Sequence, residues 1–143
     1  MRRRDRRAAQ APGVFCDNVS VFEVSVEETF AAGHALRGYR GKCENPHGHN
    51  YRVRVHLRGD DLDAIGLLQD FAAIKTELRA VVATFDHQFL NDLPDFAAVN
   101  PSAENIAKRF YDLLRPRFSA NGACLNAVTV YETDTTSATY SEG

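Results

Sequence analysis

Long apolar runs, a disulfide framework and a broadly basic surface are all missing from this sequence, and each absence excludes a class of protein. The longest apolar stretches, such as Ala80–Ala83, are core-sized and fall far short of the roughly 20 residues that span a bilayer, so no membrane partner is expected. Cysteine is scarce: Cys16, Cys43 and Cys124 are widely spaced, odd in number and form no C-x-x-C. That pattern argues against a disulfide scaffold and for a reducing, cytoplasmic compartment. The formal net charge is −2 over 143 residues, but it is unevenly placed. The first seven residues hold five Arg and one Asp, which leaves 12 basic and 18 acidic side chains in the other 136. An acidic body is a poor nucleic-acid surface, and no nucleic-acid partner is expected. The start has the charge of a signal peptide's first region without the apolar stretch that should follow, so residues 1–17 read as a disordered basic arm. The remainder, 18–143, is the right size for one domain and too short for an α/β barrel or a two-domain enzyme.

What is present is alternation and helical spacing, in a definite order. Between Val19 and Phe30 the residues Phe22, Val24, Val26 and Phe30 alternate with mostly polar neighbours, and that face continues through Ala32 to His34. This is the period of a half-buried strand. A loop rich in Gly and charge follows, then a second alternating run. There Tyr51, Val53, Val55 and Leu57 share one face, and Arg52, Arg54, His56 and Arg58 the other. A helix is predicted from Asp70 as N-cap, with Phe71, Ile74, Leu78, Val81, Val82 and Phe85 at helical spacing. A second opens at Asn100-Pro101-Ser102 with Ser102 as cap, buries Ala103, Ile106, Phe110, Leu113 and Leu114, and stops at Pro116. Two further strands are predicted at Ala127–Glu132 and Ala138–Tyr140. The order ββααββ fits an α+β domain, an antiparallel four-stranded sheet covered on one face by two helices.

Three of the five histidines fall where this reading brings them together. His47 and His49 are two apart on a strand, so their rings aim the same way. His34 ends the preceding strand, and in an antiparallel pair that end lies beside the start of the next. Three neutral imidazoles with an open fourth position describe a catalytic zinc site. Cys43, four residues before His47, reads three ways from spacing: a fourth ligand closing a structural site, a thiol activated by the cation and Lys42, or an inert side chain. Asp86-His87 is a dipeptide in which the carboxylate can orient a general acid or base. Glu132 continues the apolar face of Val128 and Val130, which turns a carboxylate inward, unless the strand end already lies in solvent. His56 shares its face with three arginines and reads as surface.

In order along the chain stand Phe30-x-Ala32-x-His34, Cys43-x-x-x-His47-Gly48-His49-Asn50-Tyr51, Asp70-Phe71 and Asp86-His87-x-x-Leu90-Asn91. After them come Pro101-Ser102-Ala103-Glu104-Asn105 and Val130-x-Glu132-Thr133. Together these motifs resemble the 6-pyruvoyl-tetrahydropterin synthase / 6-carboxy-tetrahydropterin synthase family from about Val19 to Tyr140. The resemblance implies a tunnelling fold, with trimers closing a barrel, two trimers stacking into a homo-hexamer, and active sites at subunit boundaries. It implies Zn2+ on His34, His47 and His49, and a catalytic thiol at Cys43. Asp86 and His87 become its proton-relay partners, and Glu132 the carboxylate that grips the pterin and takes part in proton transfer. Ser102 is expected to line the pterin pocket, and Arg37, Arg40 and Lys42 are candidates for the triphosphate. The substrate implied is 7,8-dihydroneopterin triphosphate.

The three-residue gap between Cys43 and His47 resembles the branch that releases acetaldehyde and triphosphate to give 6-carboxy-tetrahydropterin, a precursor of queuosine and other 7-deazapurines. The other branch eliminates triphosphate and leaves a pyruvoyl side chain. A third subgroup carries Glu in place of the thiol; here Glu44 follows Cys43, which is retained. Gly33 departs from the Ala common before the first histidine. Two readings from other classes are a non-catalytic structural zinc module closed by Cys43 and a zinc hydrolase independent of it.

Overall fold

The computed structural model describes residues 21–118 and 122–143; the expected arm at 1–17 lies outside them. Four strands form one antiparallel sheet in the order β1-β2-β3-β4. β1 runs Phe22–His34, β2 His47–Gly59, β3 Cys124–Thr133 and β4 Thr136–Ser141. Between β2 and β3 lie α1, Phe71–Phe85, and α2, Ala103–Leu114. The predicted order ββααββ is the observed one.

Alternation sets which face is buried. Val26, Phe30 and Ala32 of β1 and Tyr51, Val53, Val55 and Leu57 of β2 point to the side covered by the helices. They meet Ile74, Leu78 and Phe85 of α1 and Ile106, Phe110 and Leu114 of α2 in one core. Phe30 stacks on Tyr51 at 4.9 Å between ring centroids and tilts against Phe110 at 5.6 Å. Each of these rings removes a large apolar area from water, the main term holding sheet to helices. The opposite face carries charge: His56 pairs with Glu23 at 2.8 Å, Arg54 with Glu27, and the Arg52 guanidinium lies 4.1 Å from the Tyr131 ring centroid.

The strand bounds differ from expectation in instructive ways. β2 starts at His47, as expected from placing His47 and His49 on that strand, and His34 pairs directly with His47; the differences lie further along the chain. β3 begins at Cys124, three residues before the predicted Ala127. A bulge opposite His56 and Leu57 leaves Asn126 without a partner, so Leu125 and Val128 share the core face and strict alternation fails there. β4 begins at Thr136, since only Asp134 and Thr135 make the turn. Both helices start at the predicted caps: Asp70 accepts from the Ala72 N–H, and Ser102 from the Asn105 N–H. α2 ends at Leu114, and Pro116 sits in a short 3-10 turn at Arg115–Arg117. Two more such turns, Leu90–Asp92 and Pro94–Phe96, carry the chain between the helices. Gly33 leaves room for Phe89, whose ring would lie 3.1 Å from a Cβ at that position.

Candidate metal centre and active site

The pairing of β1 with β2 builds the centre. His34 lies opposite His47, and Ala32 opposite His49, so the three imidazoles crowd onto the helix-facing side of two adjacent strand ends. His34 Nε2 is 2.9 Å from His47 Nε2 and 3.1 Å from His49 Nε2. One ligand nitrogen from each ring lies within 4.8 Å of the others. Three nitrogens about 2.05 Å from a tetrahedral zinc are about 3.3 Å apart, close to this spacing.

The tautomers follow from the far side of two rings. His34 Nδ1 donates to the Pro101 carbonyl at 2.6 Å, and His47 Nδ1 to the Asn45 carbonyl at 2.7 Å. With those protons committed to Nδ1, both Nε2 atoms present lone pairs toward one another. Such an arrangement is repulsive without a cation between the rings and attractive with one, the usual support of a metal-bound histidine. Burial holds His49 below the ordinary imidazole range; Glu132 opposes this, and His34 and His47 reinforce it. A lowered pKa keeps the ring neutral and able to bind metal. His34 is 1% exposed, which places the centre at the mouth of the core rather than on the surface.

Glu132 is the residue on which alternation left two readings. It occupies a bulge between Tyr131 and Thr133 with no partner on β4. Its carboxylate reaches the triad side, 3.7 Å from His34 Nε2, with the side chain 28% exposed. That is the face of Val128 and Val130, so of the two readings the inward one holds. Tyr51 lies under the histidines, edge-on to His49 at 5.3 Å. Burial, with a smaller contribution from Glu132, pushes its phenol far above the ordinary range.

Cys43 sits in a 3-10 turn, Lys42–Glu44, within the loop joining the two ligand-bearing strand ends. The thiol is half-buried and free, and it is not part of the nitrogen cluster. The Asp86-His87 pair stands apart. Asp86 closes α1; its Oδ1 accepts from the Ala31 N–H at 3.0 Å, and its Oδ2 takes the His87 Nδ1 proton at 2.9 Å. Those two contacts, the backbone N–H first, hold the carboxyl below its usual range. His87 adopts a left-handed φ of 57°, strained for a non-glycine residue. Its main-chain N–H donates to Ala31 O at 2.7 Å. The side chain is 82% exposed. Among the described residues, neither Asp86 nor His87 hydrogen-bonds to Cys43 or to the triad.

Ser102 borders a cleft of about 500 Å3 with Leu36, Arg37, Tyr39, Asn100 and Asn105. Arg37 is a poor triphosphate ligand, because its guanidinium donates to the carbonyls of Phe96, Val99 and Asn91. Arg40 and Lys42 remain exposed. Periodicity gave no role to Asn91 and Asn100, whose amides bond to the main chain after β1. Their sequence signals are membership of the Asp86-His87-x-x-Leu90-Asn91 motif for Asn91 and of the Asn100-Pro101-Ser102 helix opening for Asn100, neither of which indicates a main-chain clamp.

Comparison with known proteins agrees with this geometry. The model of the family described as 6-pyruvoyl tetrahydropterin synthase matches residues 23–143. A 6-carboxy-5,6,7,8-tetrahydropterin synthase of Synechocystis is 34% identical over 119 residues, covering 80% of this chain and 88% of that one. The enzyme of the same name from Bacillus subtilis is 35% identical over 96 residues, and the match spans 64% of each chain. Human 6-pyruvoyl tetrahydrobiopterin synthase is 39% identical over 98 residues, 66% of each. The solved structure of Caenorhabditis elegans 6-pyruvoyl tetrahydropterin synthase superimposes with a TM-score of 0.77 at 30% identity, covering 87% of this chain and 98% of that one. The architecture is the tunnelling fold, and the chain belongs to the 6-pyruvoyl tetrahydropterin synthase family.

Proposed function

We propose that this protein is a zinc-dependent 6-carboxy-5,6,7,8-tetrahydropterin synthase. It converts 7,8-dihydroneopterin triphosphate and one water to 6-carboxy-tetrahydropterin with release of acetaldehyde and triphosphate, in the cytoplasm, toward queuosine and other 7-deazapurines. The observation that carries this reading is the convergence of three imidazoles, with the Glu132 carboxylate 3.7 Å from one of them, in a member of this family. Zn2+ held by His34, His47 and His49, when bound, supplies Lewis acidity to the hydroxyls of the substrate side chain.

The chain's own groups do the rest. The Glu132 carboxylate accepts two N–H bonds from the amino-pyrimidine edge of the pterin and fixes its orientation. The Ser102 side of the cleft forms one wall. Cys43 Sγ takes a proton from the side-chain carbon skeleton, and His87 Nε2, oriented by Asp86, carries protons on the other side. The exposed placement of His87 suits a site completed by a second copy, as does the sheet, in which β4 and the part of β1 before Ala31 have no strand beyond them among the described residues. A homo-hexamer built from two trimers satisfies both.

The second reading is 6-pyruvoyl-tetrahydropterin synthase, supported by the 39% identity to the human relative. Incubation of the zinc-loaded protein with 7,8-dihydroneopterin triphosphate, followed by mass analysis, separates the two. Acetaldehyde with the carboxy product is expected. A pyruvoyl product moves the protein to the other branch, and no consumption rejects both.

A further inference from the structure

Three side chains outside the proposed chemistry tie the loop after β1 to the segment that enters α2. Asn91 bonds to both main-chain groups of Ala35, accepting from N–H and donating to the carbonyl, each at 2.8 Å. Asn100 does the same to Arg37, both at 2.9 Å. In each case a planar amide stands in for a neighbouring strand, supplying one acceptor and one donor. The Arg37 guanidinium adds its three bonds to the carbonyls of Phe96, Val99 and Asn91.

Asn100 differs from the other two in what lies next to it. The following residue is Pro101, whose carbonyl receives the His34 Nδ1 proton at 2.6 Å. The Asn100 carbonyl itself accepts from Asn105 Nδ2 at 2.9 Å, and Ser102 caps the same turn. Pro101 has a fixed φ, so the direction of its carbonyl is set by Asn100 on one side and the capped helix start on the other. Toward the loop, the residue that Asn100 holds is adjacent to Leu36, whose N–H closes the loop on the Cys43 carbonyl at 2.8 Å. One amide therefore stands between the carbonyl that orients a metal-facing imidazole and the loop that carries the thiol.

We propose that Asn100 is a positioning residue that couples the orientation of His34 to the placement of the Cys43 loop. The inference rests on reading His34 as a metal ligand and Cys43 as the working thiol. An amide is required because Asp would keep the acceptor for the Arg37 N–H but lose the donor to its carbonyl, and Ala would lose both.

The test uses the full chain with Cys16→Ser and Cys124→Ser, so that Cys43 is the one thiol. Zinc affinity is measured by chelator competition on the apo protein, and the Cys43 alkylation rate with iodoacetamide. Asn100→Ala is expected to bind zinc about tenfold more weakly, the scale on which groups supporting a ligand act. Alkylation should be roughly fivefold faster as the loop opens locally. Arg37→Ala keeps the Asn100 bonds to the main chain, so it should speed alkylation while leaving zinc affinity within about twofold. Asn100→Asp should fall between wild type and Asn100→Ala on both readouts, and it decides the matter if the Ala variant does not fold. Zinc affinity unchanged in the Asn100 variants overturns the proposal, as does a loss of affinity with no change in alkylation. Neither measurement uses the pterin, so a protein that shows the coupling yet leaves dihydroneopterin triphosphate untouched would refute the proposed reaction and not this inference.

Discussion

At the scale of single residues, the centre is a balance of protons. Two Nδ1 atoms hold theirs against the carbonyls of Pro101 and Asn45, and burial resists charging of the third ring. The unfolded chain takes up a proton at His49 near pH 6.5, where the folded chain still refuses it. Protons therefore favour the unfolded state below that pH, and stability rises with pH across the window. Thermal melts of the metal-free protein should show Tm falling from pH 7.5 to pH 5, and His49→Gln should flatten part of the slope. An equal slope in that variant would place the proton uptake elsewhere. Cys43 gives the second prediction at this scale. It lies outside the nitrogen cluster, so Cys43→Ala should keep one zinc per chain and lose turnover by about a thousandfold, within the usual range for a positioned proton-transfer group. Loss of zinc and of the fold would instead mark a closed structural site.

At the scale of elements, the strands and helices were legible from period and caps, and what escaped was local. The rows Tyr51-Val53-Val55-Leu57 and Val26-Phe30-Ala32 announced their buried face by alternation alone, and the pairing of His34 with His47 follows from two antiparallel neighbours. The bulge at Asn126 was not readable, because two residues then oppose one and alternation carries no mark of it. Glu132, by contrast, follows the inward face of Val128 and Val130 that alternation indicates, and its carboxylate meets the triad although it sits at a bulge. The position of His87 was hidden, since a dipeptide motif says nothing about which way a left-handed residue turns its side chain. Ser102 has two roles that one pair of variants separates. It caps α2 through the Asn105 N–H and borders the cleft. Ser102→Ala should destabilise the fold by about 1 kcal/mol, whereas Ser102→Gly, a tolerable cap, should cost only a few tenths. If the hydroxyl also meets the pterin, both variants raise KM alike, read from steady-state kinetics beside the melts. A KM that tracks only the stability loss would leave Ser102 as a cap and nothing more.

At the scale of the whole molecule, the proposed function calls for a second copy. Glu132 lies on the triad side, and Cys43 sits in the loop that joins the two ligand-bearing strand ends, while the His87 side chain is 82% exposed with Nδ1 engaged by Asp86. The strain of its left-handed backbone is maintained by the Ala31 carbonyl and by Asp86, so the exposed pose is built and not an accident of a mobile loop. Among the described residues β4 and the first part of β1 have no strand beyond them, whereas Ala31 and Gly33 of β1 are already bonded by the 86–89 segment; under the proposed function, a closed ring of copies would cover the open stretches and could set one chain's His87 beside another's Cys43. Complementation tests this directly. Cys43→Ala and His87→Ala proteins, each inactive alone, are mixed in equal amounts, dissociated mildly and reassembled. If each site takes its thiol from one chain and its imidazole from a neighbour, random assembly restores both groups at about a quarter of sites, and activity should return to about that fraction of wild type. If both groups act within a single chain, every site in the mixture lacks one of them and no activity returns, whatever the size of the assembly measured by light scattering.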